Sequence, residues 1–143
     1  MALNYQISES VTPQALVSDA SGRSNLSPQT NGLGLVEGGG TVTQATSAST
    51  GVTLNKPCGQ ITTVALTTAA GAETIFTVTN SFVTAKDVPA VSISTYAGAG
   101  TPIVATKNTT TGAFDIVITN LHASSALDAA VTLNFVILKA CTA

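Results

Sequence analysis

The stretch VTLNFVIL, Val131 to Leu138, alternates with a period of two. Val131, Leu133, Phe135 and Ile137 fall on one side of an extended chain, because successive side chains of a strand point to opposite faces. The other side also carries Val136 and Leu138, so this strand is expected to be covered on both faces. Ala113 to Thr119 repeats the pattern, with Phe114, Ile116 and Ile118 together and Asp115 and Thr119 opposite. A helix needs apolar residues three and four apart, and no segment supplies them; Ser124 to Ala130 has room for one turn at most.

Working outward, the same reading extends back through the chain. Ala72 to Asn80 sets Phe76 and Val78 against Ile75, Thr77 and Thr79. Val88 to Tyr96 pairs Val91 with Ile93, and its Pro89 suits a strand start or a sheet edge. Pro102 to Thr106 reads as a shorter strand, with Lys107 to Gly112 as an exposed hairpin tip. Earlier come Thr41–Thr43, Val52–Leu54 and, after a turn over Asn55–Gly59, Ile61–Leu66. Seven or eight short strands split by Gly, Asn, Pro and Thr predict an all-β protein, an antiparallel β-sandwich or jelly-roll-like body. Phe76, Val78, Phe114, Ile116, Leu133 and Phe135 are its expected core, each worth about 1.5–3 kcal/mol when fully buried.

Residues 1–37 read differently. Leu3, Tyr5, Ile7, Val11, Leu16, Val17 and Leu26 stand isolated among Ser, Thr, Asn, Gln, Gly and Pro, and only Tyr5 to Glu9 alternates. Pro13, Pro28 and Asn31-Gly32 interrupt any long regular element. Alone, such a segment buries too little to offset its ordering entropy. It is either a disordered tail or an extended N-terminal arm that orders on a partner, and the spaced apolar anchors favour the arm. Gly38, Gly39 and Gly40 are the expected hinge before a body at 41–143.

Charged residues are only 8% of the chain against a hydrophobic content of 44%, whereas about 25% charge is typical. A monomer keeps itself soluble with mixed surface charge, so much of this surface is expected to be covered by other subunits. The five basic residues, Arg23, Lys56, Lys86, Lys107 and Lys139, are scattered, which speaks against nucleic acid as a partner. MALNYQISES has neither a basic start nor an apolar core, so no secretory signal is expected, and no apolar run reaches the ~20 residues of a membrane span. Cys58 and Cys141 are too few for a disulfide framework and are expected as free thiols.

Chemistry is scarce. The glycine run ends Gly-Thr-Val, without the Gly-Lys-Ser/Thr of a phosphate loop. His122 is the lone histidine, with no GxSxG turn and no adjacent acid to orient it. Glu73, Asp87, Asp115 and Asp128 are dispersed, with neither an acid pair and sugar-stacking Trp nor a calcium-loop spacing. The expectation is a protein that is not an enzyme and carries no cofactor or metal.

The runs GGGTVTQATSASTGVTLNKPCGQIT (Gly38–Thr62), AGAETIFTVTNS (Ala70–Ser81), FDIVITNL (Phe114–Leu121) and VTLNFVIL (Val131–Leu138) together resemble a β-domain found in virion proteins of tailed bacteriophages and prophages. GVTLN and FTVTNS at this separation are the most specific of these motifs, and the similarity runs from about Gly38 to Lys139. The motifs are structural, so the resemblance implies no active site. It implies a virion protein of the capsid decoration (cement) or head-fibre kind, often a homotrimer, bound to the major capsid protein on the outer capsid surface and assembled in the host cytoplasm. The alternative within the same resemblance is a tail-fibre or receptor-binding module, recognising a host surface through loops at Tyr96–Pro102 and Thr106–Gly112.

Overall fold

The computed structural model describes residues 39–139 throughout, together with the backbone of two short strands between residues 26 and 35. The chain divides into two units, Met1–Glu37 and Gly38–Ala143. In the first, β1 (Leu26–Gln29) and β2 (Gly32–Leu35) pair antiparallel across Thr30-Asn31. Gly32, read from the sequence as part of a breaker, instead opens β2 opposite Gln29. Leu3, Tyr5, Ile7, Val11, Leu16 and Val17 lie outside the described residues, as does Gly38; Leu26 opens β1.

The second unit is all-β, with no helix among the described residues. One sheet has the order β3 (Thr41–Thr43), β5 (Cys58–Thr62), β10 (Val131–Leu138), β7 (Val88–Tyr96). The other has β4 (Val52–Thr53), β6 (Glu73–Thr79), β9 (Ala113–Asn120), β8 (Pro102–Thr110). Both are mixed rather than purely antiparallel: β3 lies parallel to β5 and β4 parallel to β6. Parallel neighbours require a crossover of about a dozen residues or more, and the chain provides it by stepping from β3 across to β4 and back to β5.

The inward faces of the two sheets meet in one core. Phe76, Val78, Phe114, Ile116, Leu133 and Phe135 are all buried in it. The Phe114 and Phe135 rings, one from each sheet, lie 6.0 Å apart at a tilt of 54°, within the range of favourable edge-tilted pairs. Leu66, Val83 and Leu127, from connecting segments rather than strands, fill the ends.

Three strand readings are corrected. β5 begins at Cys58, inside the expected turn, and stops at Thr62 instead of reaching Leu66. The stop has a cause in Thr63, whose hydroxyl accepts from the Val131 N–H at 2.9 Å and donates to the Val64 carbonyl at 2.8 Å. A side chain here takes the place of a ladder bond. β8 runs through the expected hairpin tip to Thr110, leaving a turn at Thr111-Gly112 in which Gly112 adopts φ 89°. β10 is covered on one face only: Val136 is half-buried and Leu138 is 51% exposed. Its flanks β5 and β7 shield it laterally, and among the described residues no third layer lies over it.

Two of the three glycines expected as a hinge, Gly39 and Gly40, are among the described residues. Gly40 is packed at the start of β3, where a Cβ would stand 2.9 Å from Leu54 Cδ1, and its carbonyl accepts from Gln60 N–H at 2.8 Å. Gly39 has open space around it.

Candidate interaction surface

The polar groups at the ends of the sheets are occupied in holding loops. His122 Nδ1 accepts from the backbone N–H of Ser124 at 3.1 Å and of Ser125 at 2.8 Å, so the lone histidine closes its own turn. Asp128 Oδ1 accepts from Ala99 N–H at 2.6 Å, and the Tyr96 hydroxyl donates to the Ala99 carbonyl. These bonds pin the Ala97–Thr101 connection, one of the loops considered for host recognition, onto the β9–β10 connection. The other such stretch, Thr106–Gly112, is mostly strand. Among the described residues no three His, Cys, Asp or Glu side chains come together as a metal site. Cys58 is a free thiol on β5, half-buried, and Cys141 lies outside the described residues.

Asp87 is buried at the end of the β6–β7 connection, where its Oδ2 accepts from Thr84 N–H at 2.8 Å and from Lys139 Nζ at 2.6 Å. The ion pair ties the end of β10 to that connection.

What remains are the two outer sheet faces, and they differ in kind. On the β4-β6-β9-β8 sheet, register sets Glu73 beside Thr119 and Ile103, Ile75 beside Val117 and Ala105, and Thr77 beside Asp115 and Lys107. Ile75 and Ile103 are 36% and 44% exposed, an apolar strip with charge at both ends. Asp115 accepts from Asn108 Nδ2 at 2.8 Å and from Thr77 Oγ1 at 2.7 Å. Those two bonds, Asn108 first, with the Lys107 charge nearby, hold its carboxyl below the ordinary carboxylate range against a small desolvation cost.

The outer face of the β3-β5-β10-β7 sheet carries no Asp, Glu, Lys or Arg on any strand. One end is a threonine row, Thr62, Thr132 and Thr95 side by side. Next come Gln60, Asn134 and Ser92, with Gln60 Nε2 donating to Asn134 Oδ1 at 3.1 Å. Then the surface turns apolar: Cys58, Val136 and Ala90, and beyond them Leu138 beside Val88, 51% and 56% exposed. Charges of the described unit sit on the opposite sheet or in connections, apart from Lys139 just past the end of β10.

No family model matches the chain, and no curated protein or solved structure matches it significantly. The sequence pattern missed this asymmetry because facing depends on register. The β7 bulge, where Thr132 opposes Thr95 and Leu133 opposes Ile93, shifts which β7 residues share the outer face.

Proposed function

We propose that this protein is a structural component of a phage virion, of the capsid decoration (cement) kind, which binds the major capsid protein on the outer surface of the shell and stabilises it. On this reading the two four-stranded sheets form a jelly-roll-like sandwich, and residues 1–37 are an arm that lies along shell subunits. The observation that carries the reading is the make-up of the outer sheet faces. Large apolar residues, Ile75, Ile103, Val88 and Leu138, stand exposed on strands while polar side chains at the sheet ends are committed to loop closure. Such faces suit a protein that works by being packed against others. The virion assignment itself is supported by the sequence resemblance over Gly38–Lys139.

Co-sedimentation with phage shells stripped of accessory proteins tests the proposal. The full chain is expected to saturate the shells and to raise their resistance to heat, and a chain lacking residues 1–37 is expected to lose binding. Equal binding by the shortened chain rejects the arm. Immunogold label confined to tails of intact particles rejects decoration in favour of receptor recognition.

A further inference from the structure

We propose that the uncharged outer face of the β3-β5-β10-β7 sheet is a self-association surface, and that a second copy of the same face covers it, related by a two-fold axis parallel to the strands. This inference shares the exposed Val88 and Leu138 with the virion proposal but concerns the protein alone in solution, so its test is read without shells and leaves Ile75 and Ile103 for the shell.

Association through sheet edges is disfavoured on all four edge strands. β7 carries Pro89 and a bulge that leaves Ser94 without an opposite residue. β8 begins with Pro102, carries Lys107, and breaks register between Lys107 and Thr110, where Asn108 takes φ 52°. β3 and β4 are three and two residues long. Proline, lysine, bulges and short strands are the devices that stop strands from adding to an edge. A partner must therefore use a face.

Charge selects the occupant. An average protein surface is about one-quarter charged or more, and each such group set against this sheet would be desolvated with no countercharge to meet it. The surface on this molecule that meets the requirement is the same face of another copy. The order of the rows then fixes the axis. A two-fold axis across the strands would lay the threonine row on Leu138 and Val88. An axis along the strands keeps each row against its own kind. Threonines meet threonines, the Gln60–Asn134 amides meet amides that can both donate and accept, and the Val136–Leu138 end meets its apolar copy. This is an isologous contact, self-complementary by construction, in the aligned face-to-face geometry of packed sheets.

The area is that of a small interface. Strands of three, five, eight and nine residues, at about 3.3 Å rise and about 4.8 Å spacing, give a flat footprint of roughly 400 Å². Side-chain relief adds to that but leaves it below the roughly 800 Å² per partner of a standard interface, so the pairing is expected at the weak end of specific contacts.

Sedimentation velocity of the full chain between 1 and 100 μM tests the pairing. The expected species has twice the 14.2 kDa mass of one chain. Leu138→Glu and Val136→Glu each place two like charges in the buried face, and should raise the dimer dissociation constant at least about tenfold. Ile75→Glu, on the other sheet, should leave it unchanged. Leu138 is half exposed already, so its variant is the decisive one should Val136→Glu, at a half-buried position, lose its fold; far-UV circular dichroism verifies each. A monomer at every concentration overturns the proposal, including one in which Leu138→Glu lowers the melting temperature, because residues 1–37 would then be the cover. A trimer overturns the two-fold contact, and so does dissociation by Ile75→Glu instead of Leu138→Glu.

Discussion

Asn120 is the residue on which the fewest atoms hold the most structure. It is fully buried at the end of β9, and its carboxamide makes four hydrogen bonds. Nδ2 donates to the carbonyls of Thr68 at 3.1 Å and Ser125 at 2.8 Å. Oδ1 accepts from the N–H of Thr101 at 3.1 Å and His122 at 3.1 Å. Three connections are thereby tied to one side chain. Asn120→Leu keeps the γ-branched outline, with a larger volume, and removes every one of these bonds. At a net contribution of about 1 kcal/mol each, the loss is about 4 kcal/mol, and the backbone groups left without partners push it upward where water does not reach them. Domain stabilities are about 5–15 kcal/mol, so the variant should be marginal, with a melting temperature lower by roughly 15–30 °C for a body of this size. Asn120→Asp adds a test of sign. The new carboxyl faces two carbonyl oxygens in a buried site, so its folded-state pKa is raised above the unfolded value of about 3.9. Stability is then retained below that value and lost as pH rises through the folded pKa. Urea unfolding at pH 4 and pH 7 should show Asn120→Asp closer to wild type at pH 4. A loss under about 1 kcal/mol for Asn120→Leu refutes the reasoning, because the loops would then be held by something other than this side chain.

Phe114→Ala should cost about 3–5 kcal/mol, because Phe114 is fully buried against Phe135 across the two sheets; equilibrium urea unfolding measures it. Asp115→Asn should flatten the acid side of the stability curve. The lowered folded pKa of Asp115 means its contribution is present above about pH 3.9 and lost as pH falls through the folded value, which thermal melts from pH 2.5 to 5 follow. Lys139→Met should cost about 1–2 kcal/mol, between an exposed and a buried ion pair, since Asp87 is buried while Lys139 is more than half exposed. The difference from wild type should shrink in 1 M salt, and a difference that grows with salt counts against the pairing.

The strands with strict alternation were legible. In β6, β9 and β10 the inward residues are those a period of two selects, because each borders a face with one buried side. The parallel pairings were not legible. β3 and β4 are too short to show direction, and a crossover leaves no local signature. Nor was the end of β5, since it depends on a Thr63 hydroxyl finding Val131 some seventy residues on. The second face of β10 misled for a related reason. Val136 and Leu138 are as apolar as buried residues, and only the absence of a further layer among the described residues separates them from core.

The low charge content has two physical sources. Inside, the structure meets the polar groups of its connections with amides. Gln44, 3% exposed, donates to the carbonyls of Ala48 at 2.9 Å and Thr50 at 2.7 Å and accepts from Val64 N–H at 3.3 Å. Asn80, fully buried, donates to the Lys56 carbonyl at 2.8 Å and accepts from Phe82 N–H at 2.8 Å. A carboxamide offers donors and acceptors together without the cost of burying an ion, so a body with no helix among its described residues and long connections gains more from Asn and Gln than from Asp or Lys. Outside, the deficit is concentrated on one sheet rather than spread evenly, and dilution alone does not put Glu73, Lys107 and Asp115 all on the opposite face. The interior amides account for composition; the lopsided exterior is what the proposed self-association would account for, and the charge-introducing pair Leu138→Glu and Ile75→Glu separates the two faces.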